Sequence, residues 1–437
     1  MKKYETYKDS GLEWLGMVPE HWEIDKLKYQ FGLVTAPSES SNKIGLENIE
    51  SATGRFIKTD SDFEGDGIAF QPKDIVYGKL RPYLQKVWLA EFSGSAVGDF
   101  YVFRCNEGTY PTFMKYMLLS HNFTVEADGS TYGAKMPRVS CEFIGNLKWA
   151  MPPLSEQRTI ASYLDHKVGK IDTLISEKEK MVEDLKAYRS SLITETVTKG
   201  LNKEVKMKDS GLEWLGMVPE HWKVMPIKYV LEQSNEGIKI GPFGSTLTGK
   251  VSTEHPVRVY GQWNIVGKDF NAGKNFVTEE TYHELSSYQI SANDILISMM
   301  GTVGKCAIIP ETADKGIMDS HIVKIRLDKN KVLPEYFYYI YDKDCSKVII
   351  EQIQCNKRGS IMDGLNSSLI KNFVITLPPL SEQRTITSYL GQKVGQIDTS
   401  ISELEHQLSD LKSYKSSLIT EAVTGKIDLR DWQTKKS

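Results

Sequence analysis

The chain has 437 residues, 40% hydrophobic and 25% charged, with a formal net charge of −3. That length holds two to four domains with a substantial core in each, and the near-neutral balance gives no global signature of nucleic-acid binding. No apolar run approaches the ~20 residues of a membrane span. Five scattered cysteines without CxxC spacing speak against a disulfide framework or a zinc site and fit a cytoplasmic location.

Residues 1–22 form an N-terminal element. Its MKKYETYKDSG start lacks the apolar stretch of a secretory signal. Within it, KDSGLEWLGMVPEHW at 8–22 recurs without change at 208–222, an offset of 200. Pro19 and Pro219 break any helix there, so the segment reads as a non-helical start to a domain. It packs Trp14, Leu15, Val18 and Trp22 in one copy, and Trp214, Leu215, Val218 and Trp222 in the other. His21 and His221 read as structural.

Residues 23–153 form a first variable insert, and 223–379 a second. Both read as α+β. Strands are expected at 74–77, 96–104, 295–299, 305–309 and 322–327, and short helices at 111–120 and 334–341, each opened by a proline. Residues 23–150 carry 14 basic and 16 acidic side chains, and residues 223–376 carry 18 and 17, so any contact with DNA must come from local patches. Gly-rich basic loops at 77–82, 129–138, 241–245, 300–305 and 356–360 bring backbone amides and cations to one place. They supply the candidate DNA-contacting residues Lys79, Arg81, Lys135 and Arg138 in the first insert, and Lys305, Lys357 and Arg358 in the second. For any single one, the plain alternative is a turn with a solvated cation.

Each insert is followed by PPLSEQRTI, at 152–160 and 378–386, and by a long proline-free stretch. Between 152–199 and 378–425, 34 of 48 positions are identical at an offset of 226. The second insert is therefore longer by 26 residues. Ser155 and Ser381 read as N-caps, Glu156 and Glu382 favour the positive helix end, and Gly200 and Gly425 read as C-terminal stops. Each stretch (154–200 and 380–425) predicts one helix of about 43–45 residues, roughly 65 Å long. Heptad spacing marks a seam of Leu164, Ile171, Leu185 and Leu192 in the first and of Leu390, Ile397, Leu404, Leu411 and Leu418 in the second. Lys178 interrupts the first.

Helices this long outrun a domain of ~130 residues, so they are expected to pair with each other. A pseudo-twofold pairing makes them antiparallel with an insert at either end, whereas a parallel pair would place both inserts together. Pseudosymmetry also requires residues 1–22 to abut the end of the second long helix, as residues 201–222 follow the first. The two chain ends, including the tail 426–437, should then lie close together. The fold class is thus α+β: two globular α/β domains separated by two long antiparallel coiled-coil helices, in a pseudo-twofold repeat.

The motifs of catalysis are incomplete or missing. Gly244–Val251 resembles a P-loop until Val251 stands where Ser or Thr must bind the metal. No NPPY-type tetrapeptide, no GxSxG elbow and no HExxH occurs. Glu204 and Lys206 have the E-x-K form of some nucleases, without a preceding Pro-Asp.

The doubled KDSGLEWLGMVPEHW, the doubled PPLSEQRTI with its long helix, and Ser-Leu-Ile-Thr-Glu at 191–195 and 417–421 resemble the specificity (S) subunits of type I restriction–modification systems. The resemblance spans essentially the whole chain. It implies two target recognition domains, each reading one half of a split double-stranded DNA sequence. It implies helices that set the spacer and dock two methyltransferase (M) subunits, which the restriction (R) subunits join. S-adenosylmethionine and ATP with Mg would be bound by those partners, and no cofactor, metal or catalytic residue belongs to this chain. No membrane is implied.

Overall fold

The structure, a computed structural model, describes residues 2–61, 63–234, 237–299, 304–342, 344–357 and 366–433. It is a mixed helix and sheet protein with two long helices, Leu154–Lys199 (46 residues) and Leu380–Val423 (44 residues). Two compact units divide the chain: Met1–Glu179 with Glu405–Ser437, and Lys180–Leu404.

In each unit the repeated element folds as a hairpin. Tyr7–Asp9 pairs with Met17–Pro19, and Met207–Asp209 pairs with Met217–Pro219 in the same register. The tryptophan that closes the element is fully buried in both copies. A buried indole N–H needs an acceptor, and the PPLSEQ motif provides it. Trp22 Nε1 donates to Glu156 (3.2 Å), and His21 Nε2 lies 2.8 Å from the same carboxylate. Trp222 and His221 make the same contacts to Glu382 at 3.0 and 2.8 Å. The first unit adds Tyr4, whose hydroxyl donates to Glu156. Burial first, and Glu156 second, hold the Tyr4 phenol above its ordinary pKa, so it stays a donor.

The neighbouring glutamine does the second half of the work. Gln157 accepts from the Tyr110 N–H (2.8 Å) and donates to the Pro152 and Gly108 carbonyls (3.0 and 3.2 Å). Gln383 repeats this with Leu333, Pro378 and Lys331 (all 2.9 Å). Tyr110 and Leu333 precede the helices Pro111–Leu118 and Pro334–Tyr341. Glu-Gln therefore fastens both the hairpin and the insert to the start of the long helix. The serine reading is corrected: the long helices begin at Leu154 and Leu380, one residue before Ser155 and Ser381. The Pro153 and Pro379 carbonyls accept the first-turn N–H groups instead.

The main sheets of the two inserts share one strand order despite their unlike sequences. In the first, a four-stranded antiparallel sheet runs in the order Phe31–Val34, Phe100–Cys105, Ile75–Gly78, Val87–Leu89. In the second the order is Ile238–Ile240, Ile322–Ile325, Ile295–Ser298, Cys306–Ile308. A smaller sheet in each contains one parallel pair, Lys43–Ile44 with Gly94–Val97 and Val257–Tyr260 with Gly316–Met318. Asp74 grips Arg104 with both oxygens (2.8 and 2.7 Å), as Asp294 grips Arg326 (2.7 and 2.8 Å). The strand expected at 96–104 is two strands, because Gly98 takes φ +93° and passes the chain from one sheet to the other. The helices His121–Gly129 and Val348–Lys357 carry no counterpart among the expected elements.

The long helices pack against each other within each unit. In the first, Asp172 pairs with Lys415 (2.8 Å) and Lys178 Nζ donates to Gln407 (2.7 Å). As one residue number rises the other falls, so the two stretches are antiparallel. Leu164, Val168 and Ile171 share a core with Leu418 and Ile419, and partly buried Leu411 packs on it. In the second unit Arg189 pairs with Asp398 (2.9 Å), while Ile193 and Val197 share a core with Ile386, Leu390 and Val394, again antiparallel. Partly buried Leu192 packs there, Ile397 and Leu404 are 9% exposed, and Leu185 is half-buried. The pairs Asp172–Lys415 and Asp398–Arg189 occupy positions 226 apart on both helices, so one contact is made twice.

The chain ends meet. The Asp428 N–H donates to the Lys2 carbonyl (2.9 Å) and Lys2 Nζ reaches Asp431 (2.6 Å). Gly425, at φ +71°, ends the second long helix against Pro19, where a Cβ would collide. The first copy of the hairpin thus abuts the helix that ends last in the sequence.

Candidate nucleic-acid interface

Each main sheet has two different ends. Register places Phe31 opposite Cys105 at one and Gly78 opposite Phe100 at the other, roughly 17 Å away at ~3.3 Å per residue. Near the first end the two units are alike. Tyr29 and Tyr229 are 59% and 56% exposed, each beneath the adjacent lysine, Lys28 at 5.5 Å and Lys228 at 5.1 Å. At the far end they differ, although the backbone is the same. The Lys79 N–H donates to the Asp99 carbonyl (2.9 Å), and the Met299 N–H to that of His321 (3.2 Å). A carboxylate in one unit is thus an imidazole in the other.

In the first unit the far end gathers the loops 77–82 and 129–138. The Arg81 N–H donates to the Pro137 carbonyl (2.8 Å), the Val139 N–H to that of Lys79 (3.1 Å), and Leu80 bridges to Arg138. Asp99 sits between the loops. It accepts both arms of the Arg138 guanidinium (3.0 and 2.9 Å) and has Lys79 Nζ at 3.8 Å. The Arg138 hydrogen bonds, with Lys79 adding, hold its carboxyl below the usual range against a smaller opposing effect of burial. Lys79 also lies 5.3 Å above the Tyr101 ring. Lys79 and Arg138 are therefore committed to holding the loops in place.

Arg81 and Lys135 are exposed, and among the described residues neither side chain has a hydrogen bond or ion pair. Arg81 has left-handed backbone (φ +52°, ψ +69°), as has Gln85 (φ +49°, ψ +47°), on either side of the turn Pro82–Leu84. For non-glycine residues this conformation costs about 1–2 kcal/mol each. Tyr83, Tyr132 and Met136 are 52%, 59% and 48% exposed around it. Lys86, by contrast, is turned inward onto the Leu46 and Ile49 carbonyls (2.8 and 2.7 Å), and burial lowers its pKa.

The second unit presents other groups. Lys305 is paired with Asp344 (2.9 Å). Lys357 ends the helix Val348–Lys357. Its side chain and Arg358 lie outside the described residues, as do residues 300–303 and 358–360 of the candidate loops. Phe243 is 85% exposed, on a loop whose Gly241 N–H donates to the Ile322 carbonyl at the sheet's far end (2.8 Å). The sequence places Glu156 and Glu382 at the helix start but does not show their hold on Trp22 and Trp222, nor the roles of Asp99, Gln157 and Gln383, although all but Asp99 stand inside the duplicated motif and duplication is their signal. The described residues include no group of three or more His, Cys, Asp or Glu able to hold a metal ion. Among the described residues, no helix is long and apolar enough to cross a membrane.

The family model "Type I restriction modification DNA specificity domain" matches residues 219–409. Residues 219–409 thus match a type I restriction–modification DNA specificity domain, and the relatives that align along most of the chain are specificity subunits, the non-catalytic DNA-recognition subunits of their systems. The MjaVIII specificity subunit of Methanocaldococcus jannaschii is 23% identical, over 98% of this chain and 97% of that one. The EcoKI specificity subunit of Escherichia coli K12 is 22% identical, over 94% and 90%. A chain solved in work on complex assembly and conformational transition of the type I R-M system has a TM-score of 0.69 at 17% identity, covering 94% of this chain and 99% of that chain, and it shares the fold.

Proposed function

We propose that this specificity subunit reads a bipartite double-stranded DNA target. Residues 23–153 form a target recognition domain for one half-site, and residues 223–379 form one for the other. The long helices, 154–200 and 380–425, set the spacer and dock the partners: methyltransferase subunits, two of them, which modify adenine with S-adenosylmethionine, and ATP-dependent restriction subunits. Residues 1–22 and 201–222 fasten each domain to its helix.

The observation that carries this reading is one scaffold built twice with unlike far ends. Two copies of a single geometry hold Asp99 in one and His321 in the other. A protein that binds two copies of one partner needs no such difference, whereas one that reads two different base sequences does. The modest charge fits a division of labour between subunits. The partners supply part of the phosphate neutralisation, and the domains supply contacts to base edges worth about 1–3 kcal/mol for each good bidentate pair.

The test is selection of bound DNA from a random pool by the subunit in complex with its methyltransferase. Two short conserved blocks at a fixed separation are expected. Enrichment of no sequence would make the chain an adaptor and end the proposal.

A further inference from the structure

We infer that Arg81 is the base-reading side chain of the first recognition domain, and that the pair it reads is G·C. This rests on the bipartite reading above and narrows it to one contact. Five basic side chains of the first domain stand at the sheet's far end, and four are unsuited to reading a guanine. Lys86 is turned inward onto the Leu46 and Ile49 carbonyls (2.8 and 2.7 Å). Arg138 spends both arms of its fork on Asp99 (3.0 and 2.9 Å). Lys79 lies between Asp99 (3.8 Å) and the Tyr101 ring (5.3 Å). Lys135 is exposed but carries an ammonium, a point charge suited to phosphate rather than to two parallel bonds. Arg81 alone combines an exposed guanidinium with no partner among the described residues.

Its backbone is held for the purpose. The Arg81 N–H bond to Pro137 fixes one side, Pro82 follows, and left-handed Gln85 closes the turn. Strain retained at a non-glycine residue on an exposed loop marks a site whose geometry is over-determined by its surroundings. Asp99 does that by tying the two loops together through Arg138 and Lys79. A guanidinium fork matches the O6 and N7 acceptors of guanine in the major groove, and exposed Tyr83 and Met136 offer apolar surface beside it.

The experiment compares R81K and R81A with the wild-type subunit, each in complex with its methyltransferase, by binding to targets substituted one base pair at a time. Both variants are expected to lose discrimination at one G·C pair of one half-site by roughly ten- to a hundredfold. The other half-site should be read as before, and R81K should keep the salt dependence of binding. If R81K behaves as wild type and R81A weakens all sequences evenly, Arg81 touches phosphate and the inference is overturned. It is equally overturned if no position relaxes. A wild-type complex without two-part preference would overturn the bipartite reading as well, while an intact two-part preference with a silent R81A would leave that reading standing.

Discussion

Glu156 and Glu382 occupy the same place in two copies of one motif, yet replacing each with alanine should have unequal consequences. The Glu156 side chain is 5% exposed and that of Glu382 is 27% exposed. Glu156 accepts from Trp22 Nε1 and from the Tyr4 hydroxyl, both on buried residues, and contacts His21. Among the described residues, the Glu382 carboxylate serves only Trp222 and His221. His21 and His221 are similarly half-exposed and find water in either case. Each buried donor left without an acceptor costs about 1–3 kcal/mol. Two are orphaned in E156A and one in E382A, so losses of about 2–6 and 1–3 kcal/mol are expected. Hydrogen exchange followed by mass spectrometry separates them, because the hairpins Tyr7–Asp9/Met17–Pro19 and Met207–Asp209/Met217–Pro219 report on their own units. Protection of the first hairpin should fall further in E156A than that of the second in E382A, and E156Q, which keeps an acceptor oxygen, should fall less than E156A. Equal losses, or a greater loss in E382A, would refute the reasoning.

The duplicated helix contact gives a second contrast. Asp172 is 9% exposed and its partner Lys415 8%, with Arg55 also bound at 3.0 Å, so D172A leaves a buried cation uncompensated and should cost on the order of 3–5 kcal/mol in urea unfolding. D398A should cost about 1 kcal/mol or less, since Asp398 is 51% exposed. The clasp between the chain ends should fail in acid. The Arg430 hydrogen bond lowers the Asp428 pKa, so the stability it contributes is present above the unfolded value of ~3.9 and lost as pH falls through the lower folded one. Protection of the Asp428 amide, relative to its intrinsic exchange at each pH, should fall only below about pH 4, and a fall at pH 6 would contradict this. Inserting seven residues, two helical turns, into Leu154–Lys199 should change the spacer between half-sites in DNA selection, and an unchanged spacer would dismiss the ruler reading.

Much of the scaffold was legible because it is local or repeated. Proline-bounded heptads gave helices of 46 and 44 residues against the expected 43–45, and Pro334–Tyr341 falls on its expected bounds. The meeting of the chain ends followed from the order of the repeats alone. What stayed hidden depends on contacts distant in sequence. Asp99 lies 39 residues from Arg138, and no spacing rule links them. The common strand order of the main sheets is hidden because a strand needs only a pattern of buried positions, and Val102 of one sheet is replaced by the fully buried Lys324 at the matching register of the other. The serine caps misled because the preceding proline carbonyls already accept the first-turn amides.

The most direct test of a chain with one scaffold and two readers is exchange of a single reader. Residues 23–150 would be replaced by those of a related specificity subunit, and modified adenines mapped at single-molecule resolution in DNA treated with the assembled methyltransferase. One half-site should change to that of the donor while the other half-site stays as it was. A change in both half-sites, or in neither, would contradict the account.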